Sequence, residues 1–270
     1  MNWKRIRVVM RKDLGELGAN PMVVVPMAVV PAVMCVIVPC VITLAVLSVG
    51  ADQLNRNAEL IARLAPLYDI PAAFSNPVSR LLYVVLNYTF LPMFMIVPVM
   101  MATLVSANAV VGERERKTLE TLLSTPLTNR EFVVAKLLVS FLPAIVLSWM
   151  AFVAFFAAAN AVSLAMMRQV IVRSWIWLPS LLLLSPAVSL LGLSLTLLVS
   201  LKAKTFQSAQ QFATLIVVPL IALVVMQITG VVILNALYVV LASLVLLAGG
   251  WFLIMWILPR FTREGIISTL

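Results

Sequence analysis

No histidine occurs among the 270 residues. That absence removes serine–histidine acyl transfer, zinc sites of the His-Glu-x-x-His kind and histidine proton relays. None of the nine glycines opens a Gly-x-x-x-x-Gly-Lys-Ser/Thr phosphate loop, so the usual ATP cradle is missing as well. Charge is scarce: Asp, Glu, Lys and Arg make up 11% of the chain, against about 25% in a soluble domain. With 63% hydrophobic residues and a mean hydropathy of +1.13, the chain reads as one whose surface is solvated mostly by lipid. Its two cysteines, Cys35 and Cys40, both fall in the first apolar run and read as small buried residues rather than as a disulfide or metal pair.

What is present is a series of long apolar runs. A stretch of about 20 apolar residues is enough to cross a bilayer as a helix. Six such runs are expected to span, at about 22–49, 82–111, 137–159, 175–201, 212–228 and 233–258. Only a weak polar break (Gln227, Thr229, Gly230, Asn235) separates the last two, so a helix pair and a re-entrant hairpin read alike there. The first run is longer than a signal-peptide core and rich in proline, which argues against a cleaved leader. The second would make roughly 45 Å of helix against about 30 Å of hydrocarbon, enough to carry its end beyond the bilayer. The first five runs all contain proline, which suggests bent helices.

Basic residues orient the runs. Fourteen of the nineteen Lys and Arg fall on the side holding both termini and loops 112–136 and 202–211; Arg56, Arg63, Arg80, Arg168 and Arg173 fall on the other. The positive-inside rule then places both termini and the 112–136 loop in the cytoplasm of a cell membrane, with 50–81 as an external loop. The net charge of +9 follows from topology and calls for no nucleic acid. Residues 2–17 place Trp3, Ile6, Met10, Leu14 and Leu17 at helical spacing with basic residues on other faces, the pattern of an interfacial helix over 1–20 against lipid. The expected fold is an all-α membrane protein, a single permease-like domain over 1–270.

No acidic or basic residue lies within the six runs as drawn, which disfavours proton coupling through the bundle. Their few amides (Asn87, Asn108, Asn160, Gln227, Asn235) read first as interhelical hydrogen-bond formers. Asn87, Gln227 and Asn235 are the better candidates for a substrate pathway.

Charges crowd only at 112–131. Glu113 with Lys117 and Arg116 with Glu120 are opposite charges four residues apart on one helical face. Leu119, Leu122 and Leu123 form an apolar stripe, Pro126 stops the helix, and Thr128-Asn129-Arg130-Glu131 has capping-box spacing ahead of the next run. An apolar stripe with no local core beneath it points to a partner or to the membrane surface.

GERERKTLETLLSTPLTNREFVVAKLL, residues 112–138, resembles the cytoplasmic segment of the type-2 ABC exporter permeases. There the pattern E-R-E-x-G-T-L-E-x-L-L-x-T-P-L, a basic residue and K-L-L join the second and third spans; Lys117 stands where glycine is usual. RKDLGELGANP, residues 11–21, is similar to that family's lead-in. The resemblance implies a permease subunit that is not itself catalytic and binds no cofactor. It implies a second permease copy, the same chain or a sister, and a separate cytoplasmic ABC ATPase carrying ATP and Mg. The helix over 113–125 would be the coupling helix, docking through Glu113, Arg114, Glu115, Arg116, Lys117, Thr118, Leu119, Glu120, Leu122 and Leu123, with the N-terminal helix packed beside it. Cargo would be an apolar or amphiphilic compound (drug, peptide, lipid) or sodium. The rival readings are a non-transporting membrane scaffold for an ATPase and an ATP-independent channel or carrier.

Overall fold

The computed structural model describes residues 2–48, 68–74, 76–112, 128–200, 203, 205–229, 231–232 and 234–259, and all regular structure among them is helical. Helix α1 (Trp3–Ala19) opens on Asn2, whose side chain accepts from the Lys4 amide. Asn20 both ends it, in extended backbone, and caps the next helix by accepting from Met22 N, with Pro21 at the first helical position. One asparagine thus turns the chain from α1 into α2 (Pro21–Ser48).

Proline shapes the spans in a repeated way. It lacks an N–H, and its ring crowds the carbonyl four residues back. In α2, α3 (Pro77–Ala107) and α5 (Trp177–Ser200), that carbonyl falls inside a widened, π-type turn: Cys35 of Val33–Ile37 before Pro39, Tyr88 of Val85–Thr89 before Pro92, and Leu182 of Ser180–Leu184 before Pro186. The extra residue in each turn relieves the clash without breaking the helix, which is how π-bulges commonly arise.

Helix α4 (Asn129–Met167) is continuous through Pro143 and carries the expected capping box: Thr128 Oγ1 accepts from Glu131 N, and Glu131 Oε2 accepts from Thr128 N. It runs well beyond the expected 137–159, and its 39 residues make roughly 58 Å of helix. It stops at Arg168, which adopts a left-handed φ of 55°. The run expected as a fifth span over 212–228 is instead two short helices, α6 (Phe206–Thr214) and α7 (Val217–Ile228), with Pro219 just inside the second. At 12 residues α7 makes about 18 Å of helix, short of the ~30 Å hydrocarbon layer. Helix α8 (Ala236–Ile257) starts at Asn235, whose side chain accepts from Tyr238 N at 2.9 Å. Five described helices are therefore long and apolar enough to cross a membrane: α2, α3, α4, α5 and α8.

Helix α3 is the central pole. Of its apolar stretch 89% is buried, against 17% for α2 and 22% for α8, whose outward Val, Leu, Met and Trp side chains are open to lipid. Phe90 of α3 stacks on Phe155 of α4 at 4.8 Å, and Phe94 meets Trp177 of α5 edge-on at 5.5 Å. Small residues set the closest contacts, as usual where no water drives helices together. A Cβ on Gly250 of α8 would lie 3.2 Å from the Leu191 backbone N of α5, and the Gly250 carbonyl accepts from Ser194 Oγ. Gly250→Val is expected to force α5 and α8 apart, lowering stability by about 1–3 kcal/mol as over-packing does. Gly15→Val on α1, where nothing lies within 4 Å of the added Cβ, supplies the control. Thermal unfolding in detergent reads the difference between the two.

Candidate functional site

The bundle has two ends. At one, α3 delivers residue 112 and α4 begins at residue 129; the expected docking residues Glu113, Arg114, Glu115, Arg116, Lys117, Thr118, Leu119, Glu120, Leu122 and Leu123 lie between them, outside the described residues. What flanks them is described. The α1 helix is moored to both flanks. Asn2 N donates to Glu131 Oε1 at 2.6 Å, the same carboxylate that closes the Thr128 capping box. Lys136 Nζ donates to Asp13 Oδ2 at 2.7 Å, with side chains 1% and 4% exposed. Asn20 Nδ2 donates to Asn108 Oδ1 at 3.1 Å, on the last turn of the α3 run. Gly112 closes that turn: a Cβ there would come within 3.0 Å of Asn108 Oδ1, the atom that accepts from Asn20.

The Asp13–Lys136 pair is what the sequence reading missed. Lys136 read as a loop charge because the third run was drawn from 137; the structure puts it on α4, five residues past Glu131 and above the Phe132 ring at 5.4 Å. The packed face of α1 is Ile6, Val9, Asp13 and Leu17, whereas Trp3 and Leu14 of the expected apolar stripe are exposed. Asp13 continues the Ile6–Val9–Leu17 helical spacing, and the buried ammonium draws that face inward. Lys12 sits 3.7 Å from Asp13 Oδ1 and 3.2 Å from Glu16, extending the charge network to the surface.

At the far end, residues 168–176 join α4 to α5. Asn160 Oδ1 accepts from Ile171 N and Val172 N, and its Nδ2 donates to Val172 O. Asn87 donates to Tyr83 O and Ile171 O and accepts from Ser174 N. Asn87, expected on a substrate pathway, is thus fully buried and spent on holding this crossing. Gln227 is 2% exposed, and neither atom of its amide has a hydrogen-bond partner among the described residues. Asn235 caps α8 and lines a cavity of about 430 Å³ together with Asp69, Tyr83, Tyr88 and Arg173. Of the three pathway candidates, Asn235 lines this cavity, while Asn87 and Gln227 are not on its wall. A second cavity of about 390 Å³, walled by Phe152, Phe156, Trp177, Leu178 and Leu181, shares Arg173, Ser174 and Trp175 with the first.

Removing one member of a buried ion pair strands the other charge and costs on the order of 3–5 kcal/mol, whereas replacing both by apolar residues is often close to neutral. Asp13→Leu or Lys136→Met alone is expected to lower the thermal midpoint in detergent strongly, and the double substitution to recover most of it. Midpoints of the four proteins, read side by side, test this coupling.

No curated protein and no solved structure matches the chain. The family model described as ABC-2 family transporter protein matches residues 7–253, from α1 into α8, and the chain belongs to that family as a multi-pass type-2 ABC permease.

Proposed function

We propose that this chain is the membrane-spanning subunit of an ATP-driven exporter in the cell membrane, paired with a second permease copy and powered by a cytoplasmic ABC ATPase. The ATPase docks on 112–131, with Leu119, Leu122 and Leu123 as buried contacts and Glu113, Arg114, Glu115, Arg116, Lys117, Thr118 and Glu120 setting register and specificity. Charge complementarity of this kind adds more to specificity and on-rate than to raw affinity. ATP and Mg stay on the partner subunit. Both termini lie in the cytoplasm, which requires an even number of crossings, and α6 with α7 together supply the sixth. Cargo is an apolar or amphiphilic compound, or sodium.

The observation that carries this reading is the mooring of α1 to both flanks of 113–127. A push on the docking segment reaches α3 through Asn20–Asn108 and α4 through Glu131 and Lys136. Since α3 is sheathed by the other helices, its displacement moves the bundle as a body, a rigid-body switch of access.

Purification of the tagged chain from its native host in mild detergent is expected to bring down an ATPase subunit in roughly equal amount, as a one-to-one docking surface requires. Leu119→Asp with Leu122→Asp is expected to abolish that co-elution, and Glu113→Lys with Glu115→Lys to uncouple ATP hydrolysis from export at unchanged expression. Elution of the wild-type chain alone and intact would overturn the docking role.

A further inference from the structure

The two far-end cavities differ in the charges they carry and share one wall. The first carries Asp69 and Arg173, charges of opposite sign, beside the aromatic rings of Tyr83 and Tyr88. Among the described residues no ion pair joins Asp69 or Arg173 to another group. Among the described residues neither charge therefore lies within ion-pair distance of an opposite charge, although both line the same cavity. The second cavity is a groove of aromatic and aliphatic side chains on α4 and the start of α5. Phe156 and Leu178 expose about half of their surface on the outside of the bundle, where lipid tails lie. Trp177, in its wall, is 4% exposed, yet its indole Nε1 has no hydrogen-bond partner among the described residues. A buried donor left unpaired is costly, and a ligand acceptor reaching it would recover that cost.

A polar chamber with one cation and one anion, joined through Arg173, Ser174 and Trp175 to an apolar groove with one buried donor, has the outline of a single amphiphile. We infer that the far end of the bundle binds one zwitterionic phospholipid, with its head group between Asp69 and Arg173 and an acyl chain along the Phe152–Leu178 groove. The Arg173 guanidinium takes the phosphate in a charge-assisted contact. Asp69 takes the ammonium, with the exposed face of Trp175 available to it as a cation–π partner. The Trp177 indole donates to an ester carbonyl at the head of the chain. A cavity of about 430 Å³ is within the usual range for small-molecule sites. Selectivity comes from the charge that is left over: an anionic lipid meets Asp69 unpaired, and a cationic amphiphile meets Arg173 unpaired. The site needs a membrane-spanning chain but not the ATPase docking proposed above, so either can fail without the other.

The test titrates dioctanoyl phosphatidylethanolamine into the full chain in maltoside detergent, with stoichiometry read by native mass spectrometry and affinity by tryptophan fluorescence. Dioctanoyl phosphatidylglycerol and an ether-linked ethanolamine analogue are run in parallel. Saturable one-to-one binding is expected for the ethanolamine lipid, weakened about tenfold by Asp69→Asn and by Arg173→Gln, the size of one lost charged contact. Asp69→Asn should also erase the preference over the glycerol lipid. Trp177→Phe, which keeps the ring and removes the donor, should weaken the ester-linked lipid and leave the ether-linked one unchanged. Both charged residues are exposed, so their substitution leaves the fold intact. Equal affinity for the ethanolamine and glycerol lipids, indifference to either charge substitution, or binding without saturation would each overturn the site.

Discussion

Hydrocarbon offers no hydrogen bonds, so every backbone group freed inside the bilayer has to be satisfied by the protein itself. Several departures from plain helix among the described residues can be followed to the residue that meets that demand. Pro39, Pro92 and Pro186 are each preceded by a widened turn. The irregular stretch at 168–176 between α4 and α5 is held by amides from both sides, Asn87 on α3 and Asn160 on α4. Helix starts are closed by Asn2, Asn20, Asn76, Thr128 and Asn235. Amides and a hydroxyl do this work because they can both donate and accept while carrying no charge that lipid would penalise.

The same economy leaves one costly exception. Asp13 and Lys136 are buried as ions, and such a pair adds little net stability over apolar residues of similar size. What it supplies is uniqueness of placement. With Asn2–Glu131 and Asn20–Asn108 it sets α1 in one register against α4 and α3, at the end of the bundle that flanks residues 113–127. Since α3 is almost wholly enclosed, a fixed α1 is mechanically continuous with the core.

Much of this was legible in the residues. Four of the described spans agree with the apolar runs to within a few residues, because the signal is continuous hydrophobicity rather than periodicity. The capping box at Thr128 and Glu131 was legible for the same local reason. The extent of α4 was not: its ends carry Glu131, Lys136 and polar residues that a hydropathy window trims away. The facing of α1 was misjudged because Asp13 counts as polar in any amphipathic reading, and only its partner more than a hundred residues away turns it inward. Asn87 looked like a pathway residue by type, and it took the position of Ile171 and Ser174 to show what holds it. The run at 212–228 is mostly apolar, yet it breaks ahead of Pro219, which hydropathy alone does not register.

The mooring of α1 also imposes an order of assembly. Asp13 leaves the ribosome long before Lys136, and α2 and α3 are made in between. Until α4 arrives, the α1 carboxylate has no buried ammonium to meet and stays at the wet boundary of the membrane. Asn20 can find Asn108 earlier, so α1 is first hinged at its C-terminal end and swings onto α4 only when the third long helix is in place. A nascent chain halted before residue 131 would therefore carry α1 loose at its N-terminal end, a distinct intermediate for the insertion machinery and for quality control.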